Sequence, residues 1–347
     1  MRSRIRPRNR LHAAWRRAGG VAPHGRKVCH RTGIARGNTG PNRAAGRRAV
    51  HESGRSVQNR NLPRVNELRF SAPDTCAVDL LSPAGTVLLH YVFDSDAVAT
   101  ESPRPYAHPI RTLAGEVVTN FRPNDHPWHH GLSFTIDNLS GWNFWGGATY
   151  QRGDGYKLRA DHGEQRHVAW IPTDRQSVAH RLEWRAGSEV MLQEERRLTA
   201  QLISPAAWCL RWQAEIQNVS GRALVCANYH SGEGLVGSHY TGLQFRGARE
   251  LLDDHGDASL GVFAEGGLAG ESAVHGAPAR WMEWRGQKDT SLRKVTIRFE
   301  NPRAPLHWFV RRNNPLAAFP FHFDRNLELP VGASFRIEHL LTFTDVF

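Results

Sequence analysis

Arg122-Pro-Asn-Asp-His-Pro-Trp-His-His-Gly131 places three histidines, a carboxylate and a tryptophan within ten residues, stiffened by two prolines. Neutral imidazole is both the commonest metal ligand and the natural proton shuttle near neutral pH. The stretch therefore carries the side chains for metal binding or for acid–base catalysis. Pro127 biases His126 toward extended backbone, which argues against a helix. In an extended segment alternate side chains share a side, so His126 and His130 are expected together, with His129 opposite. Three histidines so disposed close on one metal only through a turn, and proton transfer is the chemistry favoured. Asp125 is placed to orient an imidazole or to act as a base; it can equally cap the following turn.

Other residues extend the candidate set. His108, in Tyr106-Ala-His-Pro-Ile-Arg111, repeats the His-Pro pairing, and Arg111 offers a planar fork for a hydroxyl or carboxylate. Glu233 lies in the glycine-rich run Asn228–Gly237, which is neither a phosphate-binding loop nor a serine-nucleophile elbow; there it is a carboxylate partner for the histidines. Gly141-Trp-Asn-Phe-Trp-Gly-Gly147 supplies Trp142, Phe144 and Trp145, a platform for the apolar face of a sugar ring, with Asn143 as a further substrate contact. Arg246 and His322 complete the substrate contacts. Each has a bland counterpart: aromatic core, a histidine satisfying loop carbonyls, a surface ion pair.

The elements that must hold these residues are short. From about Asn66 onward, runs of β-branched, aromatic and Leu residues alternate with Gly, Pro, Asn and Asp. In Trp208–Gln217 the residues Trp208, Leu210, Trp212, Ala214 and Ile216 share one face and Arg211, Gln213, Glu215 and Gln217 the other. That period of two marks a half-buried antiparallel strand. Ser334–Thr344 alternates similarly. Further strands are expected at Thr86–Phe93, Gly131–Asp137, His167–Ile171, His180–Trp184, Glu189–Thr199, Gly242–Arg246, Ala279–Trp284, Lys294–Phe299 and His307–Arg311. No amphipathic helical repeat is sustained over three turns. Many short strands at this spacing predict an all-β protein, a large antiparallel β-sandwich forming one domain over residues 66–347.

The net charge of +12 belongs to one end. Residues 1–65 hold 17 of the 45 basic residues and a single acid, Glu52, leaving the remainder at −4. A basic nucleic-acid-binding fold is thereby disfavoured, and only the tail keeps that option. With so little apolar patterning the tail is expected to be disordered. Three readings compete: a nucleic-acid or membrane-surface arm, an organellar-type presequence, or a mis-set start, the true one lying at Val50, Val57 or Val65. Cys29, Cys76, Cys209 and Cys226 show no metal or disulfide spacing. A reduced, cytoplasmic protein is expected, with Cys209 and Cys226 as buried thiols. No window of about 18 apolar residues suggests a membrane span.

Arg104-Pro-Tyr-Ala-His-Pro-Ile-Arg-Thr112, Gly115, Val118-Thr119 and Pro123-Asn-Asp-His-Pro-Trp-His-His-Gly131 together resemble a bacterial family labelled methane oxygenase PmoA. Asn143-Phe-Trp-Gly146, Tyr240–Gly247, Trp308–Arg311 and the closing Leu327–Asp345 region fit the same pattern, so the resemblance covers residues 66–347. It implies a sandwich similar to the galactose-mutarotase supersandwich. Three functions follow as expectations. One is a cofactor-free carbohydrate epimerase, isomerase or lyase, using His108, Asp125, His126, His130 and Glu233 for proton transfer, with His129 among the substrate contacts. Another is a metal-dependent oxygenase holding iron or copper on His108, Asp125, His126 and His130. The last is a non-catalytic sugar-binding module. A small-molecule carbohydrate is the expected partner, with no membrane.

Overall fold

The computed structural model describes residues 67–347 apart from 228–234, 254, 258 and 259. The basic tail and Glu233 lie outside the described residues. Two large antiparallel sheets face one another. The eight-stranded sheet runs, edge to edge, through Arg69–Phe70, Ala77–Leu81, Val87–Val92, Tyr106–Ile110, Leu132–Ile136, Thr241–Arg246, Leu316–Phe319 and Phe309–Arg311. The ten-stranded sheet is built around Glu189–Ser204, Ala207–Asn218 and Ser334–Val346. Among the described residues the one α-helix is Glu271–Val274. The expected antiparallel sandwich is what the chain forms.

The alternation in the long strands sets the packing. Trp208, Leu210, Trp212, Ala214 and Ile216 are buried, and the register sets Trp212 opposite both Leu198 and His339. From the facing sheet Phe134 meets Trp184 at 5.6 Å between ring centres, and Phe245 meets Trp284 at 5.7 Å. A single apolar cluster runs from Leu68 to Phe343. The solvent face of the ten-stranded sheet carries cross-strand ion pairs such as Arg336–Glu215 and Arg181–Glu195, each worth about 0–1 kcal/mol when exposed.

The core also holds a charged pair. Arg196 and Glu194 are fully buried and bonded bidentately, Nε to Oε1 at 2.6 Å and Nη2 to Oε2 at 2.9 Å. Trp184 Nε1 donates to Glu194, Arg196 donates to the Tyr91 hydroxyl and to Gln165, and Tyr91 meets His180 at 2.9 Å. Such a pair is tolerated in an apolar interior only when its remaining donors and acceptors are used, and here they are.

Four strands escape the period-two reading, and they bear on function. Tyr106–Ile110 carries Pro109, which argues against a strand interior. Leu316–Phe319 has no alternation at all. In Leu132–Ile136, Thr241–Arg246 and Leu316–Phe319 every residue is buried. The outer face of this sheet is therefore covered rather than open to water, and what covers it is the histidine segment and its neighbours.

Cys209 and Cys226 are free thiols, and burial pushes Cys226 up to about 12, as expected of inert core cysteines. Among the described residues no helix is long and apolar enough to cross a membrane.

Candidate active site

The histidine segment is turned, not extended. His126 N donates to Pro123 O (2.9 Å) and His129 N donates to His126 O (3.0 Å), closing two consecutive four-residue turns. The expected pairing of His126 with His130 is thereby overturned. The rings of His126 and His129 stack at 4.9 Å with 29° between their planes. His130 turns inward instead, where the chain rejoins the sheet through a bridge to Phe121. Gly131 ends the excursion at φ 51°, and a Cβ there would lie 2.2 Å from Ala107 O; only glycine fits.

The outer half of the site is partly exposed. His126 Nδ1 lies 3.2 Å from Asp125 Oδ2. Asp125 also accepts from Arg249 Nη2 and, at 3.0 Å, from Asn314 Nδ2. Arg246 in turn donates to the backbone and side-chain oxygens of Asn314. Burial lowers the His126 pKa, against the raising effect of Asp125. Burial alone would raise Asp125, but the charges of His126 and Arg249 hold it below the usual carboxylate range. At neutral pH this is an ionised carboxylate beside a neutral imidazole. Nε2 of His126 makes no hydrogen bond among the described residues. His129, 2 % exposed, is pushed well below the ordinary histidine value by burial and then by Arg246.

The inner half is closed to solvent. His130 Nε2 lies 2.8 Å from Glu101 Oε2, and Glu101 Oε1 accepts from Arg122 at 2.7 Å. Burial takes His130 down to about 4, so the neutral ring donates Nε2–H to Glu101 and leaves Nδ1 as a bare acceptor. Arg104 is fully buried and bonds only neutral acceptors: the carbonyls of Glu101, Ser102 and Trp128, Ser133 Oγ and Gln244 Oε1. Burial lowers it to about 9.

Aromatic residues wall one side. Trp145 contacts His129 edge-on at 5.7 Å and Tyr240 at 5.1 Å, and Trp128 packs against the same cluster. Gly147 sits on the Trp128 indole, where a Cβ would come within 2.4 Å of the ring. Of the three aromatics expected as a platform, Trp145 lies against the histidine cluster, Phe144 packs on Trp184 in the core at 5.1 Å between ring centres, and Trp142 packs against the main core from a tight turn on Leu139. Asn143 is corrected from substrate contact to loop former: its Oδ1 accepts from Trp145 N and Gly146 N, each at 2.8 Å.

The remaining expected residues lie elsewhere. His108 stacks on Phe121 at 5.5 Å and bonds Thr119 Oγ1, and burial lowers it to about 4. Phe121 also contacts His130, so the two histidines share an aromatic neighbour but no hydrogen bond. Arg111 donates to Gly115 O and so braces its own loop. His322 lies against Phe321, with no bond or ring contact to the cluster. The metal set His108, Asp125, His126 and His130 does not converge: among the described residues no three His, Cys, Asp or Glu side chains are placed to hold a metal ion. The donors do not fit iron or copper.

Glu101, Arg104, Trp128, Gln244, Arg249 and Asn314 are absent from the expected site set. Glu101 sits on a one-turn 3₁₀ helix at Ala99–Glu101, with no motif pointing to it. Gln244 and Arg246, two apart on one strand, share a face by the period of two; that signal alone was available.

A model of a family of unknown function (DUF6807) matches residues 80–346. No curated protein matches the chain. Among solved structures, a GalM/aldose epimerase homologue from C. elegans is 11% identical with a TM-score of 0.31, over 81% of this chain and 99% of that one. A putative kojibiose phosphorylase from human microbiome is 8% identical with a TM-score of 0.28, over 81% of this chain and 30% of that one. Likeness at this level says nothing of activity. The family description names none either, and so lends no support to the oxygenase that the motifs imply. The chain belongs to the family of unknown function DUF6807.

Proposed function

We propose that the outer face of the eight-stranded sheet binds a sugar or sugar derivative and moves a proton on it. The observation that carries this is the His126–His129 stack beside Asp125 and Arg246, facing the Trp128–Trp145 wall. An aromatic wall suits the apolar face of a pyranose, and guanidinium and amide donors suit its oxygens. The Asp125 carboxylate, 3.2 Å from His126 Nδ1 but not in hydrogen-bond geometry, favours the proton on that nitrogen electrostatically, which leaves Nε2 as the base. A neutral imidazole at pH 7 is the form that can accept a proton. His129 stacks behind His126 and limits its rotation. The Glu101–His130 pair, closed to solvent, supports the turn from below. Removal of a proton next to a carbonyl or anomeric centre, and its return, gives epimerisation or isomerisation without a cofactor.

Proton transfer leaves an isotopic record. Incubation of the protein with free aldoses and ketoses in D₂O should place deuterium on carbon, or speed anomer interconversion, as read by NMR. His126→Ala should retain sugar binding and lose the exchange. If no sugar of the panel binds, the reading fails. If the variant keeps the exchange, His126 is not the base. Binding with no exchange in the unaltered protein would make this a sugar-binding module.

A further inference from the structure

The charges around His129 are all of one sign. Its charged and titratable neighbours are Arg246, His126, Arg104 and His130, with no carboxylate among them. Over the whole cluster Arg104, Arg122, Arg246 and Arg249 stand against Glu101 and Asp125. The two acids are already committed, Glu101 to Arg122 and His130, Asp125 to Arg249 and Asn314. The two most deeply buried guanidiniums, Arg104 (0 % exposed) and Arg246 (1 %), bond only neutral oxygens. Glu101 and Asp125 lie near enough to favour the charged forms of Arg104 and Arg246 respectively, yet burial outweighs them and lowers the two to about 9 and about 10.

Unused donors point the same way. Arg246 Nε and Gln244 Nε2 are buried with no hydrogen-bond partner, and so is His129 Nδ1. Gln244 and Arg246 project from the same face of one strand. Buried N–H groups are almost always bonded. A guanidinium and an amide two residues apart on one strand face, among more cationic than anionic side chains, carry the donors that suit an oxyanion.

We infer that the site takes a sugar bearing an anionic group, a carboxylate or a phosphate, seated on Arg246 and Gln244. This rests on the sugar-site reading and narrows it. The aromatic wall holds the ring, and the oxyanion sets its orientation relative to His126. A neutral hexose offers these donors only hydroxyl oxygens, which make weaker, uncharged hydrogen bonds than an oxyanion does, and that difference is the discrimination.

Calorimetric titration of the full chain at pH 7.5 separates the possibilities. The probes are D-glucuronate, D-galacturonate, D-gluconate and D-glucose 6-phosphate, beside D-glucose and D-galactose. At least one acid should bind about tenfold or more tighter than its neutral counterpart, and which arm binds identifies carboxylate or phosphate. Arg246→Gln should erase the preference, and Arg246→Lys should restore part of it, since a point charge lacks the fork. Equal binding of acid and neutral sugar, or a preference that survives Arg246→Gln, overturns the inference while leaving the sugar site standing. If no probe binds, both fall. Should Arg246→Gln not fold, the unaltered protein decides the matter.

Discussion

The eight-stranded sheet has a buried polar cluster on each face, and the two differ in how completely they are bonded. On the inner face Arg196, Glu194, Tyr91, Gln165, Trp184 and His180 form a closed set in which no side-chain nitrogen or oxygen lacks a partner. On the outer face His126, His129, His130, Gln244 and Arg246 each keep one buried atom unpartnered. Both clusters contain a fully buried arginine, so burial of charge does not tell them apart. Satisfaction does. The closed cluster answers to the fold alone, whereas the open one bears a cost that only something outside the chain can offset. Unpartnered atoms also occur in the core, at Trp212 Nε1 beside the closed cluster, at Trp284 Nε1 and on both nitrogens of His339. What marks the outer face is that five fall together, among charges.

The comparison can be broken experimentally. The largest effect is expected on the open side: His126→Ala should lower turnover about 10²–10⁴-fold while shifting the denaturation midpoint little. An equal loss of stability would make His126 structural. On the closed side Glu194→Gln leaves Arg196 buried and uncompensated, and should cost about 3–5 kcal/mol by chemical denaturation. A cost below about 1 kcal/mol would show that the closed cluster contributes nothing to the fold. Gly147→Ala drives a methyl into the Trp128 ring at a φ of +75° and should cost about 1–3 kcal/mol, with a loss of sugar affinity. Unchanged affinity would detach the wall from the site.

The smallest effect concerns acid. His339 is buried by apolar neighbours and held down at about 3. Its folded pKa lies below its unfolded value near 6.5, so the unfolded chain gains protons first as pH falls. Stability is therefore complete above about pH 6.5 and is lost below it, by up to about 1.4 kcal/mol per pH unit for each such histidine. His130, at about 4, behaves alike. His339→Leu should flatten the fall in thermal midpoint between pH 6.5 and 4.5 without loss at pH 7.5. An unaltered slope would show that His339 is already bonded, through water, in the folded core.

Legibility divides along the same sheet. The seven longer strands of the ten-stranded sheet could be read, since water on one face writes a period of two into Trp208–Gln217 and Ser334–Thr344, whereas Leu251–Leu252, Gly261–Ala264 and Leu268–Ala269 are too short to carry one. The central strands of the other sheet are buried on both faces, so Leu316–Phe319 carries no period, and Pro109 disguises Tyr106–Ile110. In the site, the importance of the histidine segment and of Arg246 could be read from residue type. Their geometry could not. Two i to i+3 hydrogen bonds reversed which histidines face each other, and Glu101 reaches His130 from 29 residues away. Asn143 misleads because an amide that bonds its own loop is indistinguishable in sequence from one that bonds a ligand. Glu233 lies outside the described residues.

The seating of Trp128 on Gly146 and Gly147 has a consequence for motion. A Cβ at Gly146 would strike both Glu101 O and the Trp128 Cβ, and one at Gly147 would strike the indole itself. The loop bearing His126 and the loop bearing Trp145 are thus in van der Waals register, with the Glu101 turn beneath them. Separating them gives up that packing, so the opening expected to admit a ligand carries both loops as one body or brings it in past the exposed Asp125–Arg249 edge. The slow step of entry would then fall on that rim, and loop dynamics measured at either loop should report a single exchange process.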